Sequence, residues 1–128
     1  MNNYAKLKGL KVLLVESDQM IKDLLRSGLL DAGCYLDAVR SAEEGLELVA
    51  VRDFDVIISD FDLPTLDGFE FFKSEAIARL AGVKIMISAY GDVDPLTEAY
   101  VNGIHVIIEK PFTLRTLLDA IVKHVPSS

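Results

Sequence analysis

Only one cysteine, Cys34, occurs in the 128 residues, so no internal disulfide can staple the fold. The chain is long enough to bury a core without one, and a single domain over residues 1–128 is the expectation. No apolar run approaches the roughly 18 to 20 residues that a bilayer span needs. The run nearest the N-terminus, Val12 to Val15, is short and ends at once in acids, which excludes a secretory signal. A cytoplasmic address with no membrane association follows as an expectation. Basic charge is also scarce: 13 Lys and Arg stand against 20 Asp and Glu, a net charge of −7. Because the basic residues are scattered, phosphate-rich nucleic acid should be repelled by this domain. Long linkers and low-complexity segments are missing as well.

What the chain does have is apolar residues in short blocks. Hydrophobic residues make up 51% of it and charged residues 26%, which excludes a disordered polyampholyte. The runs Val12 to Val15, Tyr35 to Val39, Val56 to Ile58, Val83 to Ile87 and Ile104 to Ile108 read as strands. Apart from the Tyr35 run, which Asp37 breaks and which reads as an edge, they are nearly continuous in aliphatic residues, the pattern of parallel strands covered on both faces. Between them the apolar spacing turns helical. Ile21, Leu24, Leu25 and Leu29 form one amphipathic stripe, and Leu46, Val49 and Ala50 part of another. Ser17 or Asp18 is placed to cap the first helix, and Ser41 with Glu44 forms a capping-box pattern for the second. Further helices are predicted at about Phe69 to Leu80, Pro95 to Val101 and Leu114 to Val125, with Gly33, Gly82 and Gly103 at helix ends. Strict strand–helix alternation predicts an α/β, doubly wound, five-stranded parallel sheet with helices on both faces.

In such sheets ligands bind beyond the carboxyl ends of the strands, where the strand order reverses. There the sequence puts Glu16-Ser17-Asp18, Ser59-Asp60-Phe61-Asp62, Ser88-Ala89 and Glu109-Lys110-Pro111-Phe112. An order 2-1-3-4-5 makes Glu16 and Asp60 neighbours, whereas 3-2-1-4-5 separates them. Clustered carboxylates repel unless a cation compensates, which suggests a hard divalent ion such as Mg²⁺ with oxygen ligands. Asp60 is then a candidate nucleophile for a phosphoryl group, with Lys110 and the metal neutralising charge and Ser88 donating a hydrogen bond. Pro111 is placed to fix the loop after Lys110 through a cis peptide bond.

In this order, these residues resemble the CheY-like receiver domains of two-component response regulators. Asp55 to Phe72, DVIISDFDLPTLDGFEFF, is similar to the phosphoacceptor segment, Ser88-Ala89 to the hydroxyl position, and Lys110-Pro111-Phe112 to the lysine motif. The resemblance covers nearly the whole chain and implies the flavodoxin-like order 2-1-3-4-5. It implies Asp60 as the phosphorylation site, contacted in the phosphorylated form by Ser88 and Lys110. Metal would be held by Asp60, the backbone carbonyl of Asp62, and Glu16 directly or through water. Asp62 and Tyr90 would modulate phosphoryl loss. Implied partners are a sensor histidine kinase or phosphotransfer protein and a downstream protein or effector domain, with homodimerisation compatible. Catalysis would be confined to the domain's own phosphorylation and dephosphorylation.

Two positions depart from the pattern. Where the family has a second acid after the first strand, this chain has Ser17, which removes an anionic metal ligand and should weaken Mg²⁺ binding. Three residues before the lysine, an aromatic switch residue is replaced by Ile107, leaving Tyr90, Tyr100 or His105 as other handles on that face. The alternative functions are a pseudo-receiver, using the same fold as an interaction module, and, more remotely, a flavodoxin-like cofactor protein. The second lacks a glycine-containing phosphate loop after the first strand. His105 reads as structural or surface, His124 as solvated and Cys34 as a small, partly buried hydrophobe.

Overall fold

The computed structural model describes residues 3–89 and 103–126. The apolar runs form strands β1 (Lys11–Val15), β2 (Tyr35–Val39), β3 (Val56–Asp60), β4 (Val83–Ala89) and β5 (Val106–Lys110). All pair in parallel, in the order β2-β1-β3-β4-β5. The described helices are α1 (Gln19–Asp31), α2 (Ala42–Val49), α3 (Gly68–Lys73), α4 (Glu75–Ala78) and α5 (Leu114–His124), preceded by a 3₁₀ turn at Asn3–Leu7.

Side chains alternate across a strand, so each strand feeds two cores. Val12, Leu14, Val56, Ile58, Ile85 and Ile87 pack on one face under Leu25 and Leu29 of α1 and Leu117, Leu118 and Ile121 of α5. Leu13, Val15, Ile57 and Met86 pack on the other under Ala42, the α3 phenylalanines and Ile77 of α4. Complete burial of one such aliphatic side chain contributes about 1.5–3 kcal/mol, so these two layers outweigh any single surface contact.

Several expected boundaries move, each for a local reason. β3 and β4 each run two residues further than their apolar runs, so Asp60 and Ser88 lie inside strands and are buried despite their polarity. β5 starts two residues later than expected, because Ile104 packs into the core before the strand begins. It is also the second edge of the sheet, with most of its residues half-buried or exposed. The helix expected from Phe69 to Leu80 is two helices, broken at Ser74, whose extended backbone (ψ 143°) ends α3 and whose hydroxyl donates to Phe71 O at 2.7 Å. Asp18, not Ser17, caps α1 by accepting from Ile21 N at 3.0 Å. At α2 the Ser41 hydroxyl accepts from Glu44 N but donates to the Glu44 carboxylate, so the reciprocal box is incomplete. A complete box occurs instead at Asp67 and Glu70 on α3.

Cys34 is buried, with its thiol donating to Leu7 O. His124 is half-buried rather than solvated; its Nδ1 lies 2.9 Å from Ala120 O, and its ring packs edge-on to His105 at 6.1 Å. The helix predicted from Pro95 to Val101, and Tyr90 and Tyr100, lie outside the described residues. Among the described residues no helix is long and apolar enough to cross a membrane.

Candidate phosphoacceptor site

The strand order makes β1 and β3 neighbours with Val15 opposite Ser59, which brings Glu16 and Asp60 side by side just beyond. Glu16 is held by its own backbone, N–H to Val39 O at 2.9 Å, and is 1% exposed. One carboxylate oxygen, Oε2, accepts from Asp18 N at 3.0 Å; the other, Oε1, is buried and has no hydrogen-bond partner. Burial raises the Glu16 pKa; the Asp18 N–H opposes that and the Asp60 charge adds to it, leaving the carboxyl pushed up to about 7.

Asp60 ends β3 opposite Ile87 and is 4% exposed. Lys110 ends β5, two strands away, and reaches across to place Nζ 3.0 Å from Asp60 Oδ2. Burial works against the Lys110 charge, but the bond to Asp60 and the fields of Asp60, Glu16 and Asp62 outweigh it and hold the ammonium above its ordinary range. The next peptide, Lys110-Pro111, is cis, as the sequence suggested. Ser88 is buried on β4 between them in strand order, yet its hydroxyl donates weakly to Ala89 O at 3.4 Å and makes no bond to Asp60. Asp62 is exposed, and its N–H approaches Asp60 Oδ1 at 3.4 Å, a long contact. Ser17 is half-buried, and Asp18 spends its carboxylate on the α1 cap.

The site therefore gathers Glu16, Asp60, Lys110 and, nearby, Ser88 and Asp62; Ser17 stands at its margin. No group of three or more His, Cys, Asp or Glu side chains with metal-binding spacing occurs among the described residues, so any cation here would rely on two carboxylates plus neutral oxygens. Ser59 is expected at this strand end but without a role of its own; it is fully buried and donates to the Asp60 carbonyl at 2.9 Å. A polar residue directly before the acceptor, inside an apolar strand, was the available signal. Thr65 was unexpected; it holds the left-handed φ of 67° in the β3–α3 loop, where no glycine announces it.

Residues 12–122 match the family model of the response regulator receiver domain. The chain is 36% identical over 114 residues to the response regulator protein FleR of Pseudomonas aeruginosa, covering 89% of this chain and 24% of that one. It is 32% identical over 109 residues to the transcriptional regulatory protein HprR of Escherichia coli, covering 85% and 48%. It thus spans half or less of the length of these relatives. Among solved structures, a CheY-like receiver domain protein from Methanospirillum hungatei superposes with a TM-score of 0.83 at 26% identity, covering 91% of this chain and 93% of that one. The chemotaxis regulator CheY4 of Vibrio cholerae does so with a TM-score of 0.80 at 28% identity, covering 91% and 98%.

Proposed function

Because the chain belongs to the response-regulator receiver domain family, we propose that Asp60 accepts a phosphoryl group from the phosphohistidine of a sensor histidine kinase or phosphotransfer protein. The observation that carries this is the Lys110 ammonium 3.0 Å from a buried Asp60 carboxylate at the point where the strand order reverses. An Asp60 oxygen forms the bond to phosphorus as the phosphorus–nitrogen bond breaks and its electron pair leaves with the imidazole. Lys110, protonated well above neutral pH, neutralises charge on the phosphoryl oxygens. Ser88 must turn its hydroxyl from Ala89 O toward those oxygens, and that turn is the first movement of the switch. As the family resemblance implies, Asp62 and Tyr90 tune phosphoryl loss, and Pro111 fixes the loop beyond Lys110. Residues 1–128 act as one receiver unit, in the cytoplasm, whose signal passes to an effector on the same polypeptide or to a separate partner.

The residues fit Mg²⁺. Glu16 Oε1 is a buried carboxylate oxygen with no protein partner, Asp60 supplies a second anionic group, and the Asp62 carbonyl a third oxygen. Bound there, the ion would neutralise charge on the transferring phosphoryl group. Ser17 offers only a neutral hydroxyl or leaves its place to water, so binding is weaker than with a second acid.

That same residue favours a second reading, a pseudo-receiver that binds partners without being phosphorylated. Intact-mass measurement after incubation with acetyl phosphate, with and without Mg²⁺, separates the two. The receiver reading expects an added phosphoryl group on wild type with Mg²⁺ and none on Asp60→Ala. A wild type that never gains the group, beside a Ser17→Asp variant that does, establishes the pseudo-receiver instead.

A further inference from the structure

The main chain that carries the Asp60 carboxylate is held at two successive peptides, Asp60–Phe61 and Phe61–Asp62. Phe61 N–H donates to Ile87 O on β4 at 2.7 Å, and Phe61 O accepts from Gly68 N at 2.8 Å and Leu63 N at 3.2 Å. The Asp60 carbonyl accepts from the Ser59 hydroxyl at 2.9 Å. By strand alternation Ser59 points to the same sheet face as Ile57, where it is fully buried beside the apolar layer of α3. A hydroxyl so placed costs free energy unless it is bonded, and its bond goes to the acceptor's own backbone. Gly68, the first residue of α3, closes the other side. A Cβ there would stand 2.7 Å from Asp60 O, 2.8 Å from Phe61 Cα and 3.1 Å from Met86 Sδ, and the two nearest are backbone atoms that cannot step aside.

We propose that Ser59 is a positioning residue for phosphoryl transfer: its hydroxyl, opposed by the bare α-carbon of Gly68, sets the tilt of the Asp60–Phe61 peptide that aims the carboxylate at Lys110. The proposal rests on Asp60 being the acceptor. Without the Ser59 hydroxyl the buried carbonyl must turn to find another donor, and the carboxylate on the same residue turns with it. Displacements on the order of 1 Å at a reacting group cost up to about 100-fold in rate. A hydroxyl that served stability alone would leave the rate untouched.

The test follows phosphorylation of the full chain by phosphoramidate with Mg²⁺, read by intact mass against time over a range of donor concentrations. In this reaction an Asp60 oxygen bonds to phosphorus as the phosphorus–nitrogen bond breaks and ammonia leaves with the protons it already carries. Wild type, Ser59→Ala, Ser59→Thr and Gly68→Ala are compared. Ser59→Ala is expected to lower the maximal rate about tenfold or more with the half-saturating donor concentration unchanged. Gly68→Ala should behave alike, and Ser59→Thr, which keeps the hydroxyl, should recover most of the rate. In the unphosphorylated protein, the ¹⁵N resonance of the Lys110 ammonium should shift in Ser59→Ala and stay in Ser59→Thr. Should Ser59→Ala fail to fold, Ser59→Cys, with its weaker donor, takes its place and an intermediate rate is expected. A folded Ser59→Ala with the wild-type maximal rate and an unmoved Lys110 resonance overturns the positioning role while leaving the acceptor reading intact. A wild type that gains no phosphoryl group overturns both.

Discussion

The two ends of the sheet both bury charge, and they treat it in opposite ways. At the amino end, Lys84 is 4% exposed, but its ammonium bonds to Ala78 O at 3.2 Å, at the C-terminus of α4 where a cation suits the helix dipole. Its backbone N–H finds the ring nitrogen Nδ1 of His105 at 3.0 Å, so an imidazole takes the place of a ladder carbonyl just before β5 begins. At the carboxyl end, Glu16 is buried as deeply, with one oxygen left bare beside a second carboxylate. Burial by itself therefore does not mark a site. The difference lies in satisfaction: the amino-end ammonium and N–H find protein acceptors, whereas the carboxyl end leaves one carboxylate oxygen without a partner.

Breaking this contrast at its most strained point should give the largest effect. The Glu16 carboxyl is raised from an ordinary value near 4.5 to about 7, so the folded protein binds the proton more tightly than the unfolded chain does. That contribution is complete below about pH 4.5 and is lost as pH rises through about 7. Each tenfold difference in proton affinity between the two states is worth roughly 1.4 kcal/mol. In metal-free buffer at pH 8, Glu16→Gln should therefore be more stable than wild type by about 3 kcal/mol. The gain should vanish near pH 4, as read from urea unfolding.

At the amino end the sign reverses. His105→Leu removes the acceptor for Lys84 N–H and should cost about 1–2 kcal/mol at pH 8. Burial, with His124 and Lys84 nearby, holds the His105 imidazole below its ordinary range. Its contribution is present above about pH 6.5 and is lost as pH falls through the lower folded value. The deficit of His105→Leu should accordingly shrink toward pH 5.

A third substitution probes strain in the loop that carries the acceptor toward α3. Thr65 is β-branched and sits at φ 67°, so Thr65→Asn should raise stability by about 1 kcal/mol in thermal unfolding. The smallest effect on stability is expected from Lys84→Met, which gives up one hydrogen bond to Ala78 O, and the cost of burying a charge, for an apolar side chain. Losing that one hydrogen bond, partly offset by removing the buried charge, should cost about 0.5 kcal/mol and leave phosphorylation of Asp60 intact, whereas Lys110→Met should abolish phosphorylation.

The aliphatic runs made the strands legible, since only a parallel sheet covered on both faces buries such continuous blocks, and the acids and lysine that end those runs made the site legible. What stayed hidden depends on partners distant in the chain. Ser59 and Asp60 read as the start of a loop because they are polar, and only pairing with β4 keeps them in the strand. No proline or glycine announces the break at Ser74; it follows from the Ser74 backbone itself and from its hydroxyl bonding to Phe71 O. Glu16 could be named as a candidate ligand from its position, but the bare oxygen could not, because it reflects what the rest of the fold fails to supply.

That bare oxygen is where the contrast is most exposed to measurement. The carboxyl ¹³C resonance of Glu16, followed against pH in the wild-type protein, should titrate with a midpoint near 7 without metal, and the midpoint should fall when millimolar Mg²⁺ is added. A midpoint near 4.5 that ignores Mg²⁺ would contradict the proposed cation site at the carboxyl end.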